Sequence, residues 1–398
     1  MPSKPILSKV VWLPLLVLLA NAINVSVTRG DEFSITPDST VIGQNYGYPS
    51  GTPSQGLPSA SQVDLVVETT VFAKNLELEG LGAIEGETFI GVLAPLRLRY
   101  AADEKVSIEV GAVLGHNFGD DNKLDIAEPI FRIVIEPFND VFFVAGTIFP
   151  THWIHDALHD DVQKFRTNTE QGFQLRIDHS QFKHDSWINW RIREGEIRPE
   201  EFEVGSASQI RLFDDILRLD AQAMVDHAGG QISSSPRVET NFTLLGGASV
   251  GIRNPFGWSS IQDARIGGAY FYSSEDINDM PRLTGEAWEV RGNLDLSPID
   301  WTWVRLHIGY FNGNDFLARR GDPLYGLDDY VQGGITALVG MGSDLRIEAG
   351  FVIQDNDGNT NYTFQVNVSW GNAFNFDFLK PRVRQQTADT MSNRGLGL

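Results

Sequence analysis

The residues best suited to metal or acid–base chemistry lie close together in segment 150–170. It contains three histidines and three aspartates: His152, His155, His159, Asp156, Asp160 and Asp161. If 154–165 forms a short helix, His155 and His159 share one face, because residues four apart are neighbours on a helix. Neutral imidazoles with a nearby carboxylate can bind zinc or copper. No glutamate lies between them in the metalloprotease arrangement. A polar loop folded over or into a larger structure explains the same residues, so we expect no metal and no other cofactor.

The remaining histidines are possible catalytic bases. An enzyme built on a membrane barrel needs a serine or aspartate with a base near its outer rim. No nucleophile motif lies beside the histidines His116, His179, His184, His227 and His307. The chain also contains no cysteine, which excludes thiolate nucleophiles, thiolate metal sites and disulfides. These observations predict that the protein is not an enzyme.

Alternation of apolar and polar residues dominates the chain from residue 63 to about 378, and this period of two is typical of strands with two unlike faces. In 96–100, for example, Leu96 and Leu98 alternate with Arg97 and Arg99. The alternating runs are about 10–14 residues long, which suits the ~9–11 residues of a tilted membrane strand better than the ~5–6 residues of soluble strands. The pattern therefore predicts an all-β membrane protein.

Short and long connections follow each other along this region. Short turns occur near residues 102–103, 139–140, 214–215 and 342–343, and longer polar segments lie between them. That arrangement is typical of outer-membrane barrels. We predict a single antiparallel transmembrane β-barrel of about 14–16 strands, with short periplasmic turns and long extracellular loops.

The N-terminus resembles an export signal. Lys4 and Lys9 precede a short apolar run, and Ala20-Asn21-Ala22 provides small residues for cleavage. We therefore expect a signal peptide at 1–22. A lead-in rich in Ser, Pro and Gly is expected in the periplasm at 23–62, the barrel at 63–378 and a C-terminal tail at 379–398. The predicted location is the bacterial outer membrane.

Several short motifs resemble those of a known family. They are Glu85-Gly86-Glu87-Thr88, the alternating segment 106–114, segment 143–149, the 156–160 loop, Gln171-Gly172-Phe173-Gln174-Leu175 and Trp187-Ile188-Asn189-Trp190. Over residues 63–190 the chain is similar to a family of uncharacterised, porin-like bacterial outer-membrane β-barrels. The resemblance implies an outer-membrane barrel and brings no assigned substrate or catalytic residues.

The charged residues occupy the polar positions of the alternating strands, and these positions must face the lumen. An arginine facing lipid at mid-bilayer costs ~2–4 kcal/mol, and the strands contain too many for an ordinary fold to tolerate. The residues expected to line a pore are Arg97, Arg99, Arg132, Glu136, Arg176, Asp178, Arg191, Arg193, Arg211, Arg218, Asp220, Arg291, Arg305, His307, Arg346 and Glu348.

An arginine-rich lumen favours passive diffusion of small polar solutes, in particular anions or acidic sugars. The formal net charge of −21 argues against a nucleic-acid partner. The expected partners are outer-membrane lipid, lipopolysaccharide and small polar solutes, and a homo-oligomer is left open. The alternative functions are a non-transporting structural or adhesin-type barrel, or a barrel enzyme.

Overall fold

The computed structural model describes most of the region expected to form the barrel. The described residues are 62–78, 86–121, 124–161, 163, 169–230, 238–258, 260–299, 301–341 and 345–376. The expected signal peptide, the lead-in up to residue 61 and the tail at 379–398 lie outside them. Among the described residues, no helix has the length and apolar composition needed to cross a membrane.

Sixteen antiparallel strands form one closed barrel, in which each strand pairs with its sequence neighbours and β1 pairs with β16. The predicted all-β barrel of 14–16 strands is therefore confirmed. In order, β1 to β16 are Val63–Glu77, Thr88–Ala101, Val106–Asn117, Ile126–Phe138, Val141–Ile148, Glu170–His179, Phe182–Ile192, Glu200–Leu212, Leu217–Gly229, Glu239–Arg253, Ile261–Ile277, Leu283–Ile299, Thr302–Asn314, Asp329–Met341, Leu345–Asn356 and Asn359–Phe376.

The alternation in the sequence becomes an inward and an outward face on each strand. In β2, Arg97 is 4% exposed whereas the adjacent Leu98 is 54% exposed. The same contrast separates Arg132 from Phe131 in β4 and Arg265 from Ile266 in β11. A wall that is apolar outside and polar inside is what a lipid bilayer requires of a barrel.

The two ends of the barrel differ in their connections. At one end the turns are short, such as Asn139-Asp140 between β4 and β5, and β1 begins and β16 ends there. At the other end lie the long connections after β5 and β13. By the usual rule for outer-membrane barrels, the short-turn end is periplasmic. We call the opposite end the outer end.

Two connections from the outer end fold into the lumen. We name residues 149–161 the plug loop and residues 315–328 the brace loop. The plug loop contributes Ile154, Ala157 and Leu158 to a buried apolar cluster, and the brace loop contributes Phe316 and Tyr325. The cluster is completed by inward residues of the wall, which include Trp187, Met224, Leu245, Phe271, Phe311 and Tyr330.

The two loops contact each other through their backbones. The Asp160 N–H donates to the carbonyl of Arg320 over 2.6 Å, and the Asp322 N–H donates to the carbonyl of Asp156 over 2.9 Å. Gly321 permits this approach, because a Cβ atom at that position would lie 2.1 Å from the Ala157 carbonyl oxygen. The two loops therefore pack as one unit inside the barrel.

Polar side chains of the wall satisfy the backbone of the plug loop. The Gln222 side chain accepts a hydrogen bond from the His155 N–H at 2.7 Å, and Gln174 accepts one from the Phe149 N–H at 3.0 Å. Arg176 donates to the carbonyl of Thr151. Buried backbone groups need such partners, which explains why a loop is stable inside the lumen. The sequence left open whether this polar loop folds over or into a larger structure. In the structure it folds into the lumen of the barrel.

Candidate functional site

Most residues predicted to line a pore follow the inward phase of their strands. They include the buried side chains of Arg97, Arg132, Arg176, Arg218, Asp220, Arg291, Arg305, His307 and Glu348. Arg99, Asp178, Arg191, Arg211 and Arg346 share that phase but are only half-buried, and Glu136 shares it at the periplasmic end of β4. Arg193 differs, because β7 ends at Ile192 and Arg193 is exposed in the following loop. That these residues line a pore stays a prediction.

Several of the inward arginines are paired with carboxylates. Arg97 lies between Glu68 at 2.9 Å and Glu109 at 3.3 Å, and Arg132 contacts Glu109 at 3.0 Å. Further along the wall, Arg305 and Asp295 approach to 2.7 Å. Buried pairs of this kind offset the desolvation of each charge. They also reduce the positive field expected from the arginines alone.

Sequence reasoning missed several lumenal cations. Lys74 in β1 forms an ion pair with Asp161 of the plug loop, and Arg265 in β11 contacts Asp263 at 3.0 Å. For both Lys74 and Arg265, the alternation of polar and apolar residues along the strand was the signal that could have indicated an inward side chain. The brace loop supplies Arg319 and Arg320, and nothing in the sequence pattern placed that loop in the lumen. Their ion-pair partners are Glu239, Glu275 and Glu203.

His152 of the plug loop lies between two carboxylates. Its Nε2 atom is 2.8 Å from Glu170 Oε2, and its Nδ1 atom is 3.1 Å from Asp185 Oδ2. Burial alone would lower the pKa of His152, but the two carboxylates raise it to about 9. Because carboxylates only accept, both ring nitrogens donate and the ring is an imidazolium. His152 therefore anchors the loop and is unsuited to act as a base.

His155 is held in one tautomer. Its Nδ1 atom accepts a hydrogen bond from the Ala157 N–H at 3.0 Å, so Nε2 carries the proton and donates to Glu289 at 3.1 Å. Burial lowers the pKa of His155 below its ordinary value. His159, the third histidine, lies 3.7 Å from Glu203. All three imidazoles of the plug loop are thus buried and face carboxylates.

A histidine with different surroundings lies on the outside of the barrel, at the outer end. His116 is the penultimate residue of β3 and belongs to the lipid-facing phase, with 27% of its side chain exposed. Its Nδ1 atom is 3.3 Å from Asp125 Oδ1. The carboxylate only accepts, so Nδ1 carries the proton and Nε2 is available as a proton acceptor. A histidine that donates Nδ1–H to a carboxylate is also the arrangement found between the base and the orienting acid of hydrolases.

Asn117 fixes Asp125 in place. Its backbone N–H lies 3.2 and 3.1 Å from the two carboxylate oxygens, and its side-chain Nδ2 donates to Oδ2 at 2.9 Å. Burial raises the pKa of Asp125, but the hydrogen bonds from Asn117 outweigh it and hold the pKa below its usual value. Asp125 is therefore ionised at neutral pH. Around this dyad Phe118 and Leu124 expose more than half of their apolar surface.

Two other histidines contact hydroxyl groups on the lipid-facing wall. His227 Nδ1 is 2.9 Å from Thr240 Oγ1 near the outer end, with the Phe202 ring 4.9 Å away. His184 Nδ1 is 2.8 Å from Ser208 Oγ, close to the periplasmic turns. In neither contact is Nδ1 held by a carboxylate. Of these three histidines, His116 is thus the one whose Nδ1 atom contacts a carboxylate.

Comparison with solved structures identifies other barrels. A loop-deletion mutant of OmpT, an outer membrane protein of Vibrio cholerae, aligns with a TM-score of 0.49 and 13% identity, covering 79% of this chain and 100% of that one. An anion-selective porin from Comamonas acidovorans gives 0.47 and 10% over 79% and 100% of the chains. A triple mutant of the Rhodopseudomonas blastica porin gives 0.42 and 12% over 78% and 100%. No curated protein matches the sequence.

One family model matches residues 53–337, well over half of the chain. The family is described as lipid A 3′-O-deacylase-type, which is a family of enzymes. The prediction that the protein is not an enzyme is therefore wrong. It rested on the lack of a nucleophile motif beside the histidines, but a histidine oriented by a carboxylate can activate water without such a motif. The chain belongs to the lipid A 3′-O-deacylase-type family.

Proposed function

We propose that the protein is an outer-membrane esterase that removes an ester-linked acyl chain from a lipid A-type glycolipid. Such a substrate lies in the outer leaflet, so its esters reach the lipid-facing wall near the outer end. The His116–Asp125 dyad at that place is the observation that carries the proposal. The family supports the same reaction class.

The proposed reaction is hydrolysis by an activated water molecule. His116 Nε2 accepts a proton as the water oxygen attacks the ester carbonyl, and a tetrahedral intermediate forms. The bond between the carbonyl carbon and the sugar oxygen then breaks, and the imidazolium returns its proton to that oxygen. The products are a free fatty acid and a sugar hydroxyl. Asp125 keeps the imidazole in the required tautomer and stabilises its charged form.

The surrounding surface suits an acyl chain. Phe118 and Leu124 flank the dyad, and Ile90 and Phe131 expose apolar side chains on the neighbouring strands β2 and β4. This surface already faces lipid, so a substrate tail needs no pocket in the lumen. The lumen instead is occupied by the plug and brace loops.

The test is acyl release from lipid A in vesicles containing the purified full-length protein, followed by mass spectrometry. We expect wild type to release one acyl chain. His116→Gln and Asp125→Asn should each reduce the rate at least 100-fold, the lower end of what a positioned base contributes. His184→Gln is the matched control, because it changes a lipid-facing histidine at the periplasmic end.

Two results would contradict parts of this proposal. If wild type leaves lipid A intact, the deacylase function is wrong. If His116→Gln retains full activity whereas His227→Gln and Thr240→Val lose it, the function stands but the base is His227. Each variant is first checked for folding by the heat-dependent migration typical of intact barrels in electrophoresis.

A passive channel for small anions or acidic sugars is the second candidate. It is favoured by a polar cavity in the lumen beside the two loops, whose lining includes Lys74, Arg291, Gln332 and Gln354. The packing of the plug loop against the wall opposes a wide pore. Reversal potentials in planar bilayers test it: discrete anion-selective steps in wild type would support a channel, and the lack of conductance would exclude one.

A further inference from the structure

A second cluster of potential ligands lies inside the barrel, away from the lipid-facing dyad. His159 of the plug loop, Glu170 at the start of β6 and Glu203 in β8 each offer a ligand atom, and these atoms lie within 4.8 Å of one another. All three residues are at most 5% exposed. The cluster therefore joins a loop and two strands at one buried point.

The Nε2 atom of the His159 imidazole faces this cluster. This atom is buried without a hydrogen-bond partner among the described residues, and Glu203 Oε1 lies 3.7 Å away. A buried nitrogen without a hydrogen-bond partner is unfavourable, because the atom has lost its contact with water. Because the Nε2 atom faces two carboxylates, it is placed to act as a metal ligand.

We propose that His159, Glu170 and Glu203 bind one divalent transition-metal ion, with zinc as the best-matched ion. Zinc binds imidazole nitrogen and carboxylate oxygen at about 2.0–2.2 Å, which places tetrahedral ligands roughly 3.4 Å apart. The His159–Glu203 separation is already close to that value, and small side-chain rotations bring Glu170 within range. A water molecule completes the coordination.

The neighbours of the two glutamates act as an outer shell of the kind that metal sites use. His152 Nε2 lies 2.8 Å from Glu170 Oε2, and Asn189 donates to Glu203 Oε1 at 3.1 Å. Asp185 adds a third carboxylate, which Arg176 contacts at 3.3 Å, and Arg320 lies 2.9 Å from Glu203.

The ion has a structural consequence that is independent of the proposed esterase. Residues 159, 170 and 203 are separated along the chain, and only the inserted plug loop brings His159 to the wall. A shared metal locks that loop to β6 and β8. Removing the metal should therefore loosen the plug loop and leave the His116–Asp125 dyad intact.

The experiment measures zinc uptake by the full-length barrel after refolding, treatment with a chelator, addition of zinc sulfate and gel filtration. We expect one zinc per chain in wild type and a thermal unfolding midpoint several degrees higher with zinc. Glu203→Gln and His159→Gln should each weaken binding at least tenfold. Glu289→Gln is the matched control, because Glu289 is a fully buried partner of His155 outside the cluster.

The proposal is overturned if wild type retains no stoichiometric zinc or if calcium binds while zinc does not. It also fails if both ligand variants bind zinc as wild type does, or if Glu289→Gln loses as much binding as they do. Should Glu203→Gln not fold, His159→Gln decides, because it leaves the Glu203–Arg320 ion pair intact.

Discussion

The imidazole of His152 stacks on the indole of Trp187, with ring centroids 3.5 Å apart and planes inclined by 10°. Gly205 on the next strand makes room for the indole, since a Cβ atom there would lie 2.1 Å from it. Asp185, two residues before Trp187, contacts the same imidazole. One strand thus presents both an aromatic surface and a charge to His152, and this fixes the start of the plug loop against the wall.

Trp187→Ala should destabilise the barrel by about 3–5 kcal/mol, because it removes a fully packed indole beneath the plug loop. The measurement is urea unfolding in lipid vesicles, followed by circular dichroism. Trp190→Ala is the control on the same strand, since Trp190 faces lipid and is 48% exposed. An equal loss in both variants would contradict the role assigned to the stacked pair.

Asp156→Asn should stabilise the protein at pH 8 more than at pH 5. Burial and the nearby Asp161 raise the pKa of Asp156 to about 7. The folded state therefore holds this proton more tightly than the unfolded state, so stability falls as pH rises from about 4 to 7. At pH 8 the buried carboxylate is ionised at a cost that a neutral amide avoids.

Urea unfolding of wild type and Asp156→Asn at the two pH values measures this difference. Asp276→Asn serves as the control, because Asp276 is 53% exposed and pairs with an exposed arginine. The prediction fails if Asp156→Asn changes stability by the same amount at both pH values.

The barrel itself was predictable from the sequence because its signal is local. Alternation places Arg97 inside and Leu98 outside whatever the neighbouring strands contain. The same rule separates Trp187, which faces inward, from Trp190, which faces lipid. It fails at Arg193, because the alternation continues past the point where β7 ends.

The inserted loops were less accessible to this reasoning, because their stability depends on contacts between distant residues. His155 meets Gln222 and Glu289, which lie 67 and 134 residues away. No pattern within segment 150–170 encodes those contacts. The sequence left open whether this loop lies over the pore or inside it, and only the structure shows that it lies inside.

The lipid-facing dyad was only partly predictable from the sequence. His116 has no nucleophile motif beside it, and its partner Asp125 lies nine residues later in the chain. Hairpin geometry could have suggested that pair, because a residue near the end of one strand lies close to the residue preceding the next. Asp125 immediately precedes β4.

Arg132→Met should destabilise the barrel, because this arginine holds the end of β5 and the first residue of the plug loop. Arg132 donates to the carbonyls of Thr147 at 2.6 Å and Ile148 at 3.2 Å, and its guanidinium lies 4.0 Å from the Phe149 ring centre. Removing one partner of a buried ion pair costs about 3–5 kcal/mol. The exposed Arg282→Met is the control, because surface pairs contribute about 0–1 kcal/mol.

A double-mutant cycle with Glu109→Gln separates the ion pair from the backbone contacts. Glu109 accepts from Arg132 at 3.0 Å and also lies 3.3 Å from Arg97. The double variant should lose about 0.5–3 kcal/mol less than the sum of the single losses, because each single change already removes the contact between Arg132 and Glu109. Strict additivity would mean that the pair contributes nothing and that Arg132 acts only through Thr147 and Ile148. In either case, replacing Arg132 changes the plug loop as well as the charge of the lumen, so a selectivity change in such a variant needs a stability measurement beside it.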